Sequence, residues 1–294
     1  MRLFDPHIHM TSRTTDDYQA LAAAGVAALV EPAFWVGQPR THVGTFEDYF
    51  LSLLGWERFR AQQFGIRHFC TLALNPKEAN NTKLADGVLA LLDRYLHKDG
   101  VVAVGEIGYD DQTPAEDHCF AAQLDLALKH RLPVLIHTPH RDKKRGTERS
   151  IALLRDLAFP PELALIDHNN EETIQLTLDS GCWAGHSIYP ATKMDEARMV
   201  TLVQKFGGER ILVNSAADWG VSDPLKVPKT VAAMRAAGIA DSVIETICWH
   251  NPVRFFGQSQ RLDLPETPGA HPVDQRQLFE GNSVLRGQVP RVDS

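Results

Sequence analysis

The chain has 294 residues, 44% apolar and 23% charged, with a formal net charge of −7 when histidine is neutral. This is the composition of a globular protein long enough to bury a large core without staples, and its acidic balance excludes a global field that would draw in nucleic acid. Four scattered cysteines, none in a C-x-x-C pair, argue for buried thiols in a reducing, cytoplasmic setting, and neither an apolar leader nor a run of about 18 apolar residues points to a membrane.

The predicted elements alternate along the chain. Arg2–Asp5 reads as a short strand, 16–24 as a helix closed by Gly25, and Val26–Val30 as the second strand. A long helical stretch over 46–64 ends at Gly65. Strand three spans 66–74 and stops at Asn75-Pro76. A helix over 84–97 precedes strand four at Val101–Val104, and a helix over 115–130 precedes strand five at 133–136. Helices over 148–157 and 171–179 flank strand six at 163–166. Strand seven covers 181–184, a helix covers 195–206, and strand eight covers 210–213. Helices over 224–237 and 241–256 follow. Strands alternating with helices predict parallel βαβ units, and eight of them predict a single (β/α)8 TIM barrel over residues 1–257. Residues 258–294, rich in Pro, Gly, Gln and Asp, predict an extended, partly irregular C-terminal arm and no separate domain.

Chemistry-bearing residues recur at the strand ends, where barrel enzymes place their sites. Asp5-Pro6-His7-Ile8-His9 follows strand one. In an extended segment, residues two apart face the same side, so His7 and His9 can converge while Ile8 packs away. Val104-Gly105-Glu106-Ile107-Gly108 ends strand four, and its small residues leave room beside Glu106. His137 ends strand five, His168 ends strand six, and Asp218 is the carboxylate nearest the end of strand eight. Imidazole and carboxylate without thiolate suit a catalytic divalent metal better than a closed structural zinc. With Glu106 bridging, the set has room for two divalent ions of zinc, manganese, iron or magnesium. Glu106 and Asp218 are the candidate catalytic residues.

These motifs, with the closing Asn251-Pro252-Val253-Arg254-Phe255-Phe256, resemble the TatD-related metal-dependent hydrolases of the amidohydrolase superfamily over roughly residues 3–257. The resemblance implies that His7, His9 and Asp218 hold one metal and that His137 and His168 hold the other, with Glu106 between them. It also implies that Asp218 orients the attacking water and shuttles its proton. Two segments depart from the family pattern. The family's Glu-Thr-Asp run after the last strand is replaced by Asn214-Ser215-Ala216, with Asp218 two residues later. Asn169-Asn170-Glu171-Glu172 stands where aromatic and small residues usually follow His168, which weakens the inheritance of the family's metal-dependent DNase or exonuclease activity.

Around this set, Glu31, Phe34 and Trp35 follow strand two as candidate pocket walls. His140 and Arg141 open a basic run to Arg145 that suits an anion. His186 and Lys193 follow strand seven, and Trp219 offers a ring to stack on. The leading expectation is hydrolysis of a small ester, amide or phosphoester by metal-activated water. No interleaved basic and aromatic stripe suits tracking along nucleic acid, which favours a small-molecule substrate. A metal-dependent isomerase or lyase using Lys193 or His186 is an open alternative, as is a non-catalytic, pathway-associated barrel. Only hydrolysis must incorporate oxygen from solvent water.

Overall fold

The computed structural model describes residues 1–190 and 192–264. Eight strands lie in sequence order: β1 Leu3–Asp5, β2 Val26–Pro32, β3 Arg67–Leu72, β4 Val101–Gly108, β5 Val134–His137, β6 Ala164–Ile166, β7 Trp183–Ser187 and β8 Ile211–Asn214. Each pairs in parallel with the next. The ring is drawn together just beyond the ends of β8 and β1, where Ala216 N–H donates to the His7 carbonyl at 2.8 Å and His9 N–H donates to the Ala217 carbonyl at 2.9 Å. The fold is a (β/α)8 TIM barrel.

Every strand gives a side chain to one buried cluster: Phe4, Val30, Phe69, Val102, Leu135, Leu165, Trp183 and Leu212. A cluster fed by all eight strands fills the barrel interior, as expected of a packed barrel. Trp249, Phe255 and Phe256 join it from the closing helical segment, with Phe4 stacked 6.1 Å from Phe256. Two larger apolar clusters lie between the strands and the outer helices. All four cysteines are buried and free.

Helix starts follow local chemistry. Pro114–His130 begins behind Thr113, whose hydroxyl accepts from Glu116 N–H at 3.2 Å, with Pro114 in the first turn. Glu196–Phe206 begins behind Asp195, which accepts from Arg198 N–H at 2.9 Å.

Several boundaries differ from the sequence expectation. The 46–64 stretch divides into Val43–Leu51, a π-helical turn Ser52–Glu57, and Arg58–Gln62; the 241–256 stretch divides likewise around Thr246–His250. The basic run reaches into a helix, Lys143–Asp156, that starts five residues earlier than expected. β4 continues to Gly108, so Glu106 lies within the strand, and β7 starts and ends later, so His186 lies within it. The expected arm lies outside the described residues beyond 264. Its first part caps the barrel's N-terminal end, with Leu262 and Leu264 against the interior cluster and Arg261 donating to the carbonyls of Leu96 and Val101. No helix among the described residues is long and apolar enough to cross a membrane.

Candidate metal centre

At the C-terminal mouth, His7 and His9 turn toward each other while Ile8 is buried on the opposite side. Their rings meet edge to face with centroids 4.8 Å apart, and their Nε2 atoms are 3.0 Å apart. His9 lies flat on Phe34, centroid to centroid 3.6 Å. β4 brings Glu106 to the middle. Its Oε1 is 3.5 Å from His7 Nε2, 3.4 Å from His137 Nδ1 and 3.5 Å from His168 Nε2. Its Oε2 accepts from Asn75 Nδ2 at 3.1 Å, and Asn75 also caps the short helix Pro76–Ala79. His168 follows β6 in the left-handed region, at φ 61°. Its N–H donates to Asp167 Oδ1 at 2.7 Å, and its Nδ1 meets Ser187 Oγ at 2.6 Å.

The charges are strongly coupled. Burial opposes ionisation of Glu106, but His7 and then His137 and His168 outweigh it and hold the carboxyl well below its usual range. Burial opposes a proton on His7, yet Glu106 and Asp167 raise its pKa. Burial keeps His9 and His168 well below the ordinary imidazole value, which leaves them neutral and able to ligate.

One atom from each of His7, Glu106 and His168 lies within 4.8 Å of the others, a spacing that one ion can bridge. The buried Nδ1 of His9 has no hydrogen-bond partner among the described residues. Imidazoles converging on an ionised carboxylate, with the far nitrogens of His7 and His168 tied to oxygen atoms, fit a divalent metal.

A cavity of about 230 Å³ opens over this cluster, and His140, Lys193, Asp218 and Trp219 line it together with His137. Trp219 packs against Phe34 and Trp35 at 4.9 and 5.1 Å. Lys193 Nζ stands 5.0 Å from the Tyr189 ring centre, and burial lowers its pKa. Asp218 reaches the cavity wall but not the imidazoles' hydrogen-bonding shell. Its Oδ1 accepts from Tyr189 OH at 3.1 Å and from Gly220 N–H at 2.7 Å.

Three expected pocket residues do not line the cavity. Glu31 is buried away from it, accepting from Thr11 N–H at 2.7 Å and facing His68 Nε2 at 2.8 Å. His186 points its Nδ1 at the Leu212 carbonyl, 3.4 Å away, because β7 runs through it. Arg141 is exposed just before the helix that takes over the basic run. Conversely, Asp167, Ser187 and Asn75 contact the cluster, and Asn214 reaches it through Asp167, without having been singled out. Asp167 adjoins His168 in sequence, which was the available signal.

Residues 4–257 match the family described as TatD related DNase, and the chain belongs to that family. It is 24% identical over 259 residues to an uncharacterized metal-dependent hydrolase of Methanocaldococcus jannaschii, covering 86% of this chain and 99% of that protein. A TatD-like protein from Archaeoglobus fulgidus superposes with a TM-score of 0.72 at 27% identity, covering 86% of this chain and 99% of that one. A phosphotriesterase homology protein from Escherichia coli, complexed with phosphate, shares the fold, with a TM-score of 0.63 at 14% identity over 87% of this chain and 98% of that one. The chain is a metal-dependent hydrolase of the TatD type, which sets aside the non-catalytic barrel.

Proposed function

We propose that the protein hydrolyses a small ester, amide or phosphoester, with a phosphoester the best fit, at a centre formed by His7, His9, Glu106, His137 and His168. The observation that carries this reading is Glu106 Oε1 standing 3.4–3.5 Å from three imidazole nitrogens at the floor of a lined cavity. In this assignment His7 and His9 would hold one divalent ion and His137 and His168 a second, with Glu106 available to both. Such ions lower the pKa of water and polarise the scissile bond.

The chain's own residues do the rest. Lys193 and Lys77 line the cavity and suit a substrate's anionic oxygens, while Trp35 and Trp219 wall its outer side. Asp218 stands at the wall as a proton acceptor for the attacking water, steadied by Tyr189 and Gly220. We assign it no metal, because its carboxylate is directed to those two partners.

The same aromatic wall supports a second reading, cleavage at the end of a DNA strand with a base stacked on Trp35 or Trp219. A panel decides between them: zinc- or manganese-loaded protein with p-nitrophenyl phosphate, bis(p-nitrophenyl) phosphate, p-nitrophenyl acetate and an end-labelled single-stranded oligonucleotide, with His7→Ala as control. Turnover of a small ester that vanishes in the control is the expected result. Preference for the oligonucleotide moves the assignment to the nuclease. No turnover of any of them by metal-replete protein sinks the proposal.

A further inference from the structure

We propose that Asp167 is the positioning carboxylate for His7, supplying from β6 the negative charge that this chain lacks at the end of β8. The inference rests on the reading that His7 holds a metal. Where the family pattern has Glu-Thr-Asp, this chain has Asn214-Ser215-Ala216, and Asp218 is bonded elsewhere. Asp167 is wholly buried, and its Oδ2 lies 2.5 Å from His7 Nδ1.

Four strand ends are shaped around this one side chain. His7 approaches from β1, and the His168 N–H donates to Oδ1 at 2.7 Å after β6. On β8, Asn214 Nδ2 donates to Oδ1 at 3.0 Å and to Oδ2 at 3.2 Å. On β7, a Cβ at Gly185 would come within 2.3 Å of Oδ1, so the missing side chain is the space Asp167 occupies. The Asn214 amide that donates to Asp167 is itself oriented, its Oδ1 accepting from Ser187 Oγ at 2.7 Å.

A carboxylate accepting from Nδ1–H fixes one imidazole tautomer and leaves the Nε2 lone pair free. His7 Nε2 is the nitrogen that faces Glu106 Oε1 at 3.5 Å. Asp167 thus acts through His7, and Asn214 orients Asp167.

Neutralising Asp167 would also disturb a buried hydrogen-bond network, so the test separates charge from network. Zinc affinity is measured by competition with a chromogenic chelator for the wild type, Asp167→Asn, and the exchange Asp167→Asn with Asn214→Asp. The exchange keeps an acid–amide pair at the same two positions but moves the charge away from His7. Both variants are expected to bind zinc roughly 10–100-fold more weakly, while the metal-free exchange variant melts close to the wild type. Wild-type affinity in the exchange variant overturns this inference alone. Wild-type protein that takes up no zinc overturns the metal reading, and this inference with it. Should neither variant fold, NMR of the cadmium-113-loaded wild type decides. Coupling through His7 Nε2 with a retained Nδ1–H is expected, and coupling through Nδ1 overturns the proposal.

Discussion

Glu31 and His68 form a buried acid–imidazole contact of 2.8 Å, both fully excluded from water. Burial pushes Glu31 up from 4.5 to about 8 and pushes His68 down from 6.5 to about 4. Near neutral pH the pair is therefore a carboxylic acid beside a neutral ring. The signs oppose. Stability from the raised Glu31 pKa is complete below about pH 4.5 and is lost as pH rises through about 8. Stability from the depressed His68 pKa is present above about pH 6.5 and is lost as pH falls through about 4. Only Glu31 acts between pH 6.5 and 8. Glu31→Gln removes that loss, so its stability relative to the wild type should rise by at least about 1 kcal/mol from pH 6.5 to pH 8 in urea titrations. A flat difference would mean that Glu31 is ionised in the fold.

At the level of the strand, close approach replaces side chains. Gly108 ends β4 at φ 122°, and a Cβ there would lie 2.4 Å from the His137 carbonyl oxygen. The obstacle is backbone, which cannot swing aside as a flexible side chain can. Gly108→Ala should cost about 2 kcal/mol or more in unfolding experiments and weaken metal binding by moving His137 relative to Glu106. A neutral outcome would show that β4 can part from β5.

The same strands explain what could be read from the sequence. Eight apolar runs alternating with helical segments announced the barrel, and the ends of strands one, four, five and six announced His7, Glu106, His137 and His168 as a group. In strands buried on both faces, alternation carries no information about direction. Glu31 and His186 therefore looked like pocket residues, while one is buried against His68 and the other faces the Leu212 carbonyl. Asp167 meets His7 across 160 positions of chain, a pairing that depends on ring closure and leaves no local trace.

For the molecule as a whole, the proposed ligands, drawn from β1, β4, β5 and β6, would make an ion a cross-brace between distant parts of one chain. Ligand at about 100 times its Kd stabilises the native state by about 2.7 kcal/mol. Treatment with a chelator should accordingly lower the melting temperature by roughly 5–10 °C in a chain of this size, and restoring zinc should reverse the change. A melting curve indifferent to chelator would place the histidine cluster outside the protein's stability.

The union of the barrel's first and last strands has a consequence for how the protein is made. Its main-chain links join His7 and His9 to Ala216 and Ala217, so the earliest-synthesised of the proposed ligands wait for some of the last-synthesised barrel residues. A chain still on the ribosome and lacking Ala216 has β1 without its closing neighbour, and His7 is held from one side only. Metal capture in the finished geometry must therefore wait until the end of β8 has emerged, and the nascent chain must protect an unpaired β1 edge until then.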